Sequence, residues 1–405
     1  MLNCDKNILF LDWGLKATLL LSNMIAVVVA VFAVFQPFSY LDALAAKDIE
    51  STRTSSSSCI KFESNDKVIT ITCKNAVRLS DIDKQLNNAE VLQEESSAAS
   101  AKVWSLNAGI VIQKGSTLVI DSKDVKWLKI IADGTTAHAI LVFGGLKIDS
   151  VKVTSWNPNT NDYATTENSK RVGRETTIGS PRPYISVEKE ATGTTDITNS
   201  EIAYLGYEGG WGAGRTGIRY DGGNNSKIQG NDIHDLWFGF YSVGVSGIVI
   251  EGNHIHHNGF YGIDPHTGTH DMVIRNNTVH DNGSDAIICS LNCYNITIDG
   301  NTVYNGMTGI IFSRNMHDSV ASNNHVHNIT ECILVTASHN NEVHSNTASN
   351  CGSGICLFSG SSNNKIHDDT IKDSGIDILV KTNATGNTFT SNTTTSMRYR
   401  RRDKR

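Results

Sequence analysis

Proline is nearly absent: the 405 residues contain 5, and residues 201–405 contain a single one, Pro265. This scarcity excludes a collagen-like or proline-rich extended chain. Positive charge is not in excess either, because 35 lysines and arginines stand against 41 acidic residues, giving a net charge of -6. The composition gives no electrostatic reason to expect a nucleic-acid partner. The basic tail at 396–405 is the exception, and we expect it to be a solvated end.

Long apolar runs are lacking except near the start of the chain, where residues 17–35 are largely apolar. This run is about long enough to span a bilayer. It is also compatible with a secretory signal that is cleaved near Ala43–Ala46. Residues 1–46 are therefore predicted to be a signal peptide or a membrane anchor, followed by a serine-rich linker at 47–58. Both alternatives predict an exported protein, in the periplasm, at the cell surface or outside the cell.

Metal-binding cysteine patterns are also lacking, since the 8 cysteines show no zinc-ligand spacing. No Gly-Gly-X-Gly-X-Asp repeat occurs, so we expect no calcium array, and we predict neither a metal nor a cofactor. Cys59 and Cys73 flank a hairpin-like segment that a disulfide could join. Cleavage would remove Cys4 and leave an odd number, so at least one thiol should be free. Glycosylation sequons are frequent and begin at Asn276, Asn295, Asn328 and Asn383.

The sequence does contain an internal repeat. Segments such as IQGNDIHDLW, IEGNHIHHNG and IRNNTVHDNG carry asparagine at the fourth position, with spacings of 22 to 24 residues. Short β-branched runs, Asn/Gly turns and the lack of helical periodicity predict an all-β fold. We expect a right-handed parallel β-helix, a solenoid of about 22–24-residue coils. The repeated residues are Asn231, Asn253, Asn277, Asn301, Asn324 and Asn346, continued by Asp369 and Asn392.

Equivalent residues of such coils stack in columns about 4.8 Å apart. The asparagines are expected to adopt left-handed turn geometry and to hydrogen-bond to one another from coil to coil. A second column lies three residues after each asparagine. Its one-per-rung spacing is typical of an aromatic surface ladder rather than a metal site, and it consists of His234, His256, His280, Tyr304 and His327.

The regular repeats occupy residues 201–395 and carry the candidate site. Residues 59–200 also contain strand-like runs separated by Gly, Asp and Asn turns, which predict earlier, irregular coils of the same β-helix. A long polar segment near 157–183 is predicted to be a loop. Loops of this length are uncommon unless they have a function, such as covering a groove.

A polar cluster emerges when the strands after each turn are aligned. Their third position is apolar and should face the core, in a column of Ile218, Phe240, Ile263, Ile287, Ile310 and Ile333. Side chains alternate along a strand, so the fourth and sixth positions should face outward. This brings Arg219, Tyr241, Asp264 and His266 onto one exposed face, with Arg219 and Asp264 about 10 Å apart. Pro265 removes a ladder hydrogen bond, and such irregularities often accompany functional sites.

Aromatic side chains surround this cluster, and aromatic groups that flank polar groups along a groove suit a polysaccharide. The simpler alternative is a surface ion pair between Arg219 and Asp264, with His266 incidental. The aromatic residues are Trp211, Trp237, Phe238, Phe260 and Tyr261.

The segment YGIDPH, followed by IRNNTVHDNG, resembles the mannuronan C5-epimerases of the periplasmic alginate type. The segments VWSLNAGIVIQKGSTLVI, SVKVTSW, RPYISVE, SEIAYLGY and WFGFYS occur in the order found in that family. The resemblance therefore covers residues 103–393. It implies a right-handed β-helix that inverts C5 of uronic acid residues within a polymer.

The resemblance also implies residue roles. One group removes the C5 proton, another group or water returns a proton to the opposite face, and a cation or protonated carboxyl neutralises the sugar carboxylate. His266 would be the base and Tyr261 the acid, which requires Tyr261 to lie at the turn, since its strand parity is inward. Arg219 and Asp264 would bind or neutralise the carboxylate. Substrate-binding candidates are Tyr241, Trp237, Phe260, His256 and Arg314, and His256 and His257 are rival bases.

Two positions depart from the family pattern. Thr267 stands where the periplasmic enzymes usually carry aspartate. Leu291 stands where they tend to carry arginine, and Ser313-Arg314 appears one rung later. The source of the neutralising cation therefore stays open among three arginines: Arg215, Arg219 and Arg314.

We expect a uronan C5-epimerase that acts on an acidic polysaccharide and is monomeric, with membrane contact only if the leader is retained. A polyuronate lyase is one alternative, because it begins with the same deprotonation and then expels the C4 oxygen. A non-catalytic glycan-binding β-helix and a purely structural exported solenoid are the others.

Overall fold

A computed structural model describes residues 58–95, 102–165, 181–208, 215–358 and 360–394, and the backbone of 397–400. Residues 58–405 form one compact unit. The predicted leader and most of the linker lie outside the described residues, as does most of the 157–183 segment. Within the described ranges, no helix has the length and apolar character needed to cross a membrane.

The fold is an all-β, right-handed parallel β-solenoid, as the repeat predicts. Each coil contributes a strand to each of three parallel stacks that run along the molecule. We call these stacks sheets 1, 2 and 3. In the regular coils, the chain passes from sheet 3 through the asparagine turn to sheet 2, and then to sheet 1.

Sheet 1 carries the predicted site. Its first two strands form an antiparallel hairpin, and the later strands pair in parallel. They are β1 (Ile60–Glu63), β2 (Val68–Ile71), β6 (Gly109–Ile112), β9 (Ala139–Val142), β12 (Tyr184–Val187), β15 (Gly217–Tyr220), β18 (Phe238–Val243), β21 (Ile263–His266), β24 (Asp285–Ser290), β31 (Ser353–Leu357), β34 (Ile376–Lys381) and β36 (Met397–Arg400).

Sheet 2 carries the predicted aromatic ladder. It consists of β4 (Leu92–Glu95), β5 (Val103–Leu106), β8 (Trp127–Ile131), β11 (Lys152–Trp156), β14 (Glu201–Ala203), β17 (Asp232–His234), β20 (His254–His256), β23 (Thr278–His280), β30 (Thr347–Ser349) and β33 (Thr370–Lys372). Two 12-residue strands cross from sheet 2 into sheet 1 without interruption: β26 (Thr302–Ser313) and β28 (His325–Thr336).

Sheet 3 closes each coil on the remaining side. Its strands are β3 (Val77–Arg78), β7 (Thr117–Asp121), β10 (Gly145–Asp149), β13 (Thr195–Thr198), β16 (Lys227–Gln229), β19 (Val249–Glu251), β22 (Val273–Arg275), β25 (Thr297–Asp299), β27 (Val320–Ser322), β29 (Glu342–His344), β32 (Lys365–His367) and β35 (Thr388–Thr390). A helix that the sequence reading missed, α1 (Leu79–Leu86), follows β3 and buries Leu79 and Ile82.

The core is built from stacked apolar columns. The predicted inward column is confirmed, because its six members are at most 1% exposed. Register runs from Phe240 through Ile263, Ile287 and Ile310 to Ile333. Each side chain therefore packs on its equivalents in the coils on either side, which buries apolar surface continuously along the axis.

The asparagine column forms a buried hydrogen-bonded ladder. Each amide oxygen accepts the backbone N–H and the amide N–H of the asparagine one coil earlier, as Asn301 does from Asn277 at 3.0 Å for both. The predicted continuation through Asp369 and Asn392 is confirmed. The expected left-handed geometry of these asparagines is wrong, since the preceding residues adopt it instead, including Gly230, Gly252, Asn276 and Gly300.

Disulfides staple the chain at two points. The predicted Cys59–Cys73 bridge is present, and a second bridge joins Cys332 to Cys351. Cys289 and Cys293 are free and buried, in line with the expectation of at least one free thiol. The second bridge was not predicted because the spacing of its cysteines follows no recognisable pattern.

We predict that Asn301→Ala lowers the free energy of unfolding by roughly 3 kcal/mol or more, measured by thermal unfolding. The substitution leaves both N–H groups of Asn277 without their acceptor and removes the amide bond to the Ile274 carbonyl, and each buried unsatisfied group costs about 1–3 kcal/mol. Asn383→Ala is the matched control, because Asn383 is exposed, and it should change stability by less than about 0.5 kcal/mol. Equal effects of the two substitutions would contradict a structural role for the ladder.

Candidate active site

The predicted cluster assembles on sheet 1 through strand register. Arg219 pairs with Tyr241 and Tyr241 pairs with Asp264, so Arg219 and Asp264 are two strand spacings apart, as expected. A bulge in β18 makes this possible, because Gly217 lies opposite Phe238 whereas Arg219 lies opposite Tyr241, so β18 has one more residue than β15 between these pairs. Without that shift, Arg219 would be opposite the inward-facing Phe240. The sequence alignment instead placed Thr216 opposite Phe238 and missed the bulge.

His266 lies at the end of β21 with each ring nitrogen next to a partner. Its Nδ1 is 2.6 Å from the Thr267 hydroxyl oxygen, and its Nε2 is 3.4 Å from Nη2 of Arg314. Because the guanidinium can only donate, Nε2 is the acceptor and Nδ1 carries the hydrogen. Burial, followed by the positive charges of Arg314 and Arg219, lowers the pKa of His266 to about 4. The imidazole is therefore neutral at neutral pH and has its basic electron pair on Nε2, next to the Arg314 guanidinium.

Arg314 supplies the cation closest to this histidine. Its residue adopts a left-handed conformation just after β26, and its guanidinium reaches back one rung to donate to Ser290 Oγ at 2.9 Å. Ser290 and Ser313 are in register, so Leu291 and Arg314 occupy equivalent positions on successive rungs. Of the three candidate cations, Arg314 contacts His266, whereas Arg215 lies over the ring of Tyr207.

Arg219 lies on the other side of the cluster. Its guanidinium forms an ion pair with Asp221 at 2.8 Å and lies over the Tyr241 ring, 5.1 Å from the ring centroid. The alternative of a surface ion pair between Arg219 and Asp264 is therefore wrong. Arg219 nevertheless acts electrostatically on His266, and it belongs to the same cluster.

Asp264 is buried rather than exposed as expected. It is 2% exposed, and among the described residues its Oδ1 has no hydrogen-bond partner. Tyr241 and the apolar Ile288 flank it in its column, which explains the burial. Burial raises the pKa of Asp264 far above its usual range, although Arg314 partly opposes this effect. The shift favours the protonated carboxyl, which can donate a hydrogen bond.

Tyr261 precedes β21, in the turn that its predicted role requires. Its ring contacts Phe260 and Phe238, with centroid distances of 4.1 and 5.3 Å. Burial raises its pKa, helped by the nearby carboxyl groups of Asp285 and Asp264, so the phenol keeps its proton. Asp285 was not predicted, although its position opposite Tyr261 in the aligned strands could have indicated it. Burial raises the pKa of Asp285 to about 6.

The aromatic residues form a continuous rim beside the cluster. Trp237 stacks on Phe260 at 5.7 Å, and Phe238 contacts Phe260, Tyr261 and Tyr241 at ring-centroid distances of 5.3 to 5.5 Å. Tyr241 continues the rim to His266, with its ring centroid 5.6 Å from the imidazole. Trp211 lies outside the described residues.

His256 belongs to the predicted ladder on sheet 2. It stacks between His234 and His280 at centroid distances of 5.1 and 5.2 Å, which confirms the ladder at these positions. Its Nε2 bonds to Asp232, and its Nδ1 lies 2.7 Å from Nδ1 of His257. Among the described residues, the His256 ring therefore contacts other histidines of the ladder and its surroundings, and it does not contact His266. Within the described ranges, the one grouping of side chains able to hold a metal also lies here, not in the sheet 1 cluster.

One known family matches more than half of the chain. Residues 148–291 and 194–403 each match the family described as periplasmic copper-binding protein (NosD). The chain belongs to the NosD family. The matched ranges contain all of the sheet 1 cluster.

The individual relatives that match this chain have a different name from the family. The chain is 28% identical over 189 residues to a mannuronan C5-epimerase of Pseudomonas fluorescens, covering 44% of this chain and 32% of that protein. It is 29% identical over 173 residues to the same-named protein of Pseudomonas aeruginosa, covering 40% and 29%. The resemblance to mannuronan C5-epimerases is thus confirmed, and the chain spans about a third of the length of the relatives it matches.

A solved structure shows the same fold. The crystal structure of the periplasmic alginate epimerase AlgG superposes with a TM-score of 0.64 at 21% identity, covering 82% of this chain and 84% of that chain.

We predict that Arg314→Gln raises the pKa of His266 above about 4, toward but short of the ordinary 6.5, because a positive charge is removed while burial persists. An NMR titration of the imidazole carbon-bound protons measures this shift. Arg275→Gln is the control, since Arg275 is an exposed arginine on sheet 3 that pairs with Glu251. An unchanged titration in Arg314→Gln would mean that Arg314 does not act on His266.

Proposed function

We propose that this protein is a C5-epimerase of uronic acid residues in an acidic polysaccharide, of the type that converts mannuronate to guluronate. The observation that carries the proposal is the neutral His266, held between Thr267 and Arg314 on the strand that also carries the buried Asp264. The relatives named mannuronan C5-epimerase support the substrate class.

The first step is removal of the C5 proton. His266 Nε2 takes the proton, and the electrons of the C5–H bond move into the adjacent carboxylate, which gains a second negative charge. Arg314 and Arg219 would stabilise this charge, and the Asp264 carboxyl would donate a hydrogen bond to the same oxygens. Thr267 accepts the Nδ1 hydrogen and so fixes the tautomer that leaves Nε2 free.

The second step returns a proton to the opposite face of C5. The Tyr261 phenol is protonated at neutral pH and would donate its proton, which restores the carboxylate and inverts the carbon. Proton exchange with water then returns Tyr261 to the phenol and His266 to the neutral imidazole. The rim formed by Trp237, Phe260 and Tyr241 would hold the neighbouring sugar rings, because aromatic faces stack on the apolar faces of pyranoses.

Elimination is the second candidate reaction, because it shares the first step. A lyase would expel the C4 oxygen from the same intermediate, and Tyr261 would protonate that leaving oxygen. Proton NMR of polymannuronate incubated with the protein separates the outcomes: new guluronate signals support epimerisation, and an unsaturated product with ultraviolet absorbance supports elimination. If neither appears while the polymer binds, the protein is a glycan-binding β-helix.

The proposal also covers the location of the protein and its assembly state. The NosD family and the AlgG structure both bear the word periplasmic, which supports an exported protein. We further propose that residues 1–46 direct export as a signal or anchor, that the enzyme works as a monomer, and that the sequons are glycosylated only where the machinery exists.

We predict that His266→Ala lowers kcat on polymannuronate by about 10²–10⁴-fold, the usual contribution of a positioned acid–base group. Affinity for the polymer should stay within a few-fold of the parent, because the aromatic rim is intact. His344→Gln on sheet 3 is the control and should retain full turnover. Full turnover of His266→Ala would exclude His266 as the base.

We predict that Tyr261→Phe separates the two proton transfers. In D₂O, the variant should incorporate deuterium at C5 with retained mannuronate configuration, because His266 can still remove and return a proton on its own face. Guluronate formation should fall by at least about 100-fold. Equal loss of deuterium incorporation and of inversion, followed by NMR, would contradict the assignment of Tyr261 as the opposite-face acid.

A further inference from the structure

The histidine ladder of sheet 2 contains a cluster that a simple stack does not explain. Asp232 lies opposite His254 on adjacent strands, and His254 and His256 point to the same side of β20. Asp232 Oδ1 is 3.2 Å from His254 Nδ1 and 3.0 Å from His256 Nε2. One ligand atom from each of the three residues lies within 4.8 Å of the others.

Two of the three distances between these atoms are close to those expected around a metal ion, and the distance between the two histidine nitrogens is within 4.8 Å. Ligands at zinc-type bond lengths of about 2.0–2.1 Å around a tetrahedral centre are separated by about 3.3–3.4 Å. The two measured distances are within a few tenths of an ångström of that edge. Asp232 and His254 each have side chains that are 47% exposed, so an ion could enter from solvent and keep a water ligand.

The positions of the hydrogens on the histidine rings also favour a bound cation. His280 has Nδ1 2.6 Å from the Asp281 carboxylate and Nε2 2.7 Å from His254 Nε2. A carboxylate only accepts, so His280 Nδ1 carries a hydrogen, and a neutral His280 must accept from His254 through Nε2. The neutral His254 then directs a lone pair from Nδ1 toward Asp232 Oδ1, which also only accepts. Either a ring in this chain is an imidazolium, or a cation lies between these two atoms.

We propose that Asp232, His254 and His256 bind a divalent transition-metal ion of the zinc–copper class. Two imidazole nitrogens with one carboxylate oxygen suit such ions, whereas Mg²⁺ and Ca²⁺ prefer oxygen ligands. With the ion present, these rings can all be neutral, and the remaining ring nitrogens of His254, His256 and His280 each have a partner. His280 backed by Asp281 orients His254, and His257 orients His256 through its Nδ1.

The same strand pattern three rungs later provides an internal comparison. His325 and His327 also lie two residues apart on sheet 2, with ring centroids separated by 4.8 Å. The neighbours of His325 on the adjacent strands are Thr302 and Thr347, so no carboxylate faces the pair there. The proposed site therefore depends on Asp232 and not on the histidine pair alone. It is independent of the epimerase proposal, and of the copper that the family description names.

Isothermal titration of the full chain with Zn²⁺, purified without a polyhistidine tag and freed of metal with EDTA, tests the site. We expect one Zn²⁺ per chain, no binding of Mg²⁺, and at least about tenfold weaker Zn²⁺ affinity in Asp232→Asn and His254→Asn. His325→Asn is the matched control and should bind Zn²⁺ as the parent does. The thermal unfolding midpoint should rise with Zn²⁺ in the parent and in the control, but not in His254→Asn.

Electron paramagnetic resonance of the protein loaded with one equivalent of Cu²⁺ provides a second readout, because coupling to two imidazole nitrogens should be seen in the parent and lost in part in His254→Asn. The proposal is overturned if the parent binds no Zn²⁺, which would leave a proton-only network. It is also overturned if His254→Asn and His325→Asn weaken binding equally, since that outcome indicates adventitious binding by surface histidines.

Discussion

The amide ladder is the interaction on which the arrangement of this protein depends. Each buried asparagine accepts two N–H groups from the preceding coil, and its own amide donates onward, so successive coils can stack in one register only. A slip of one residue would break the ladder and turn the isoleucine column outward. Because the side chains of the site come from four separate coils, they meet only while this register holds.

Charge within the cluster is organised around one arginine. Arg314 and burial both keep His266 neutral, whereas for Asp264 burial raises the pKa more than Arg314 lowers it. The free site therefore holds a neutral imidazole, a carboxyl group whose protonated form is favoured, and two arginines. A bound sugar carboxylate would partly neutralise those cations and raise the basicity of His266. Substrate binding would thus strengthen the base where it is needed, and the extra charge that develops after deprotonation would bind the arginines more strongly than the ground state does.

Periodic features could be predicted from the sequence, and features that depend on side-chain reach could not. The ladder, the inward column and the histidine stack repeat every coil, so each coil supports the assignment of the others. The burial of Asp264 depends on the size of Tyr241 and Ile288, its neighbours in the stack. The contact of Arg314 with His266 depends on a long side chain crossing a rung, and the β18 bulge depends on one extra residue in that strand. None of these has a period, and the same holds for the bridge between Cys332 and Cys351. In the histidine column, periodicity correctly predicted a ladder. It gave no indication of Asp232 and His254, which lie two residues before the column members His234 and His256.

The two departures from the epimerase pattern are compatible with the same chemistry in a solenoid. Every coil presents an equivalent position to the groove, and the shift of an arginine from the position of Leu291 to Arg314 moves its backbone by one rung, about 4.8 Å. An extended arginine side chain spans that distance, as the bond from Arg314 to Ser290 demonstrates. Thr267 in place of a carboxylate removes a negative charge from beside Nδ1, which makes His266 less basic, although its hydroxyl still fixes the tautomer. In the proposed mechanism, His266 therefore relies more on the charge of the substrate than a carboxylate-backed histidine would, and a neutral sugar polymer could not supply that charge.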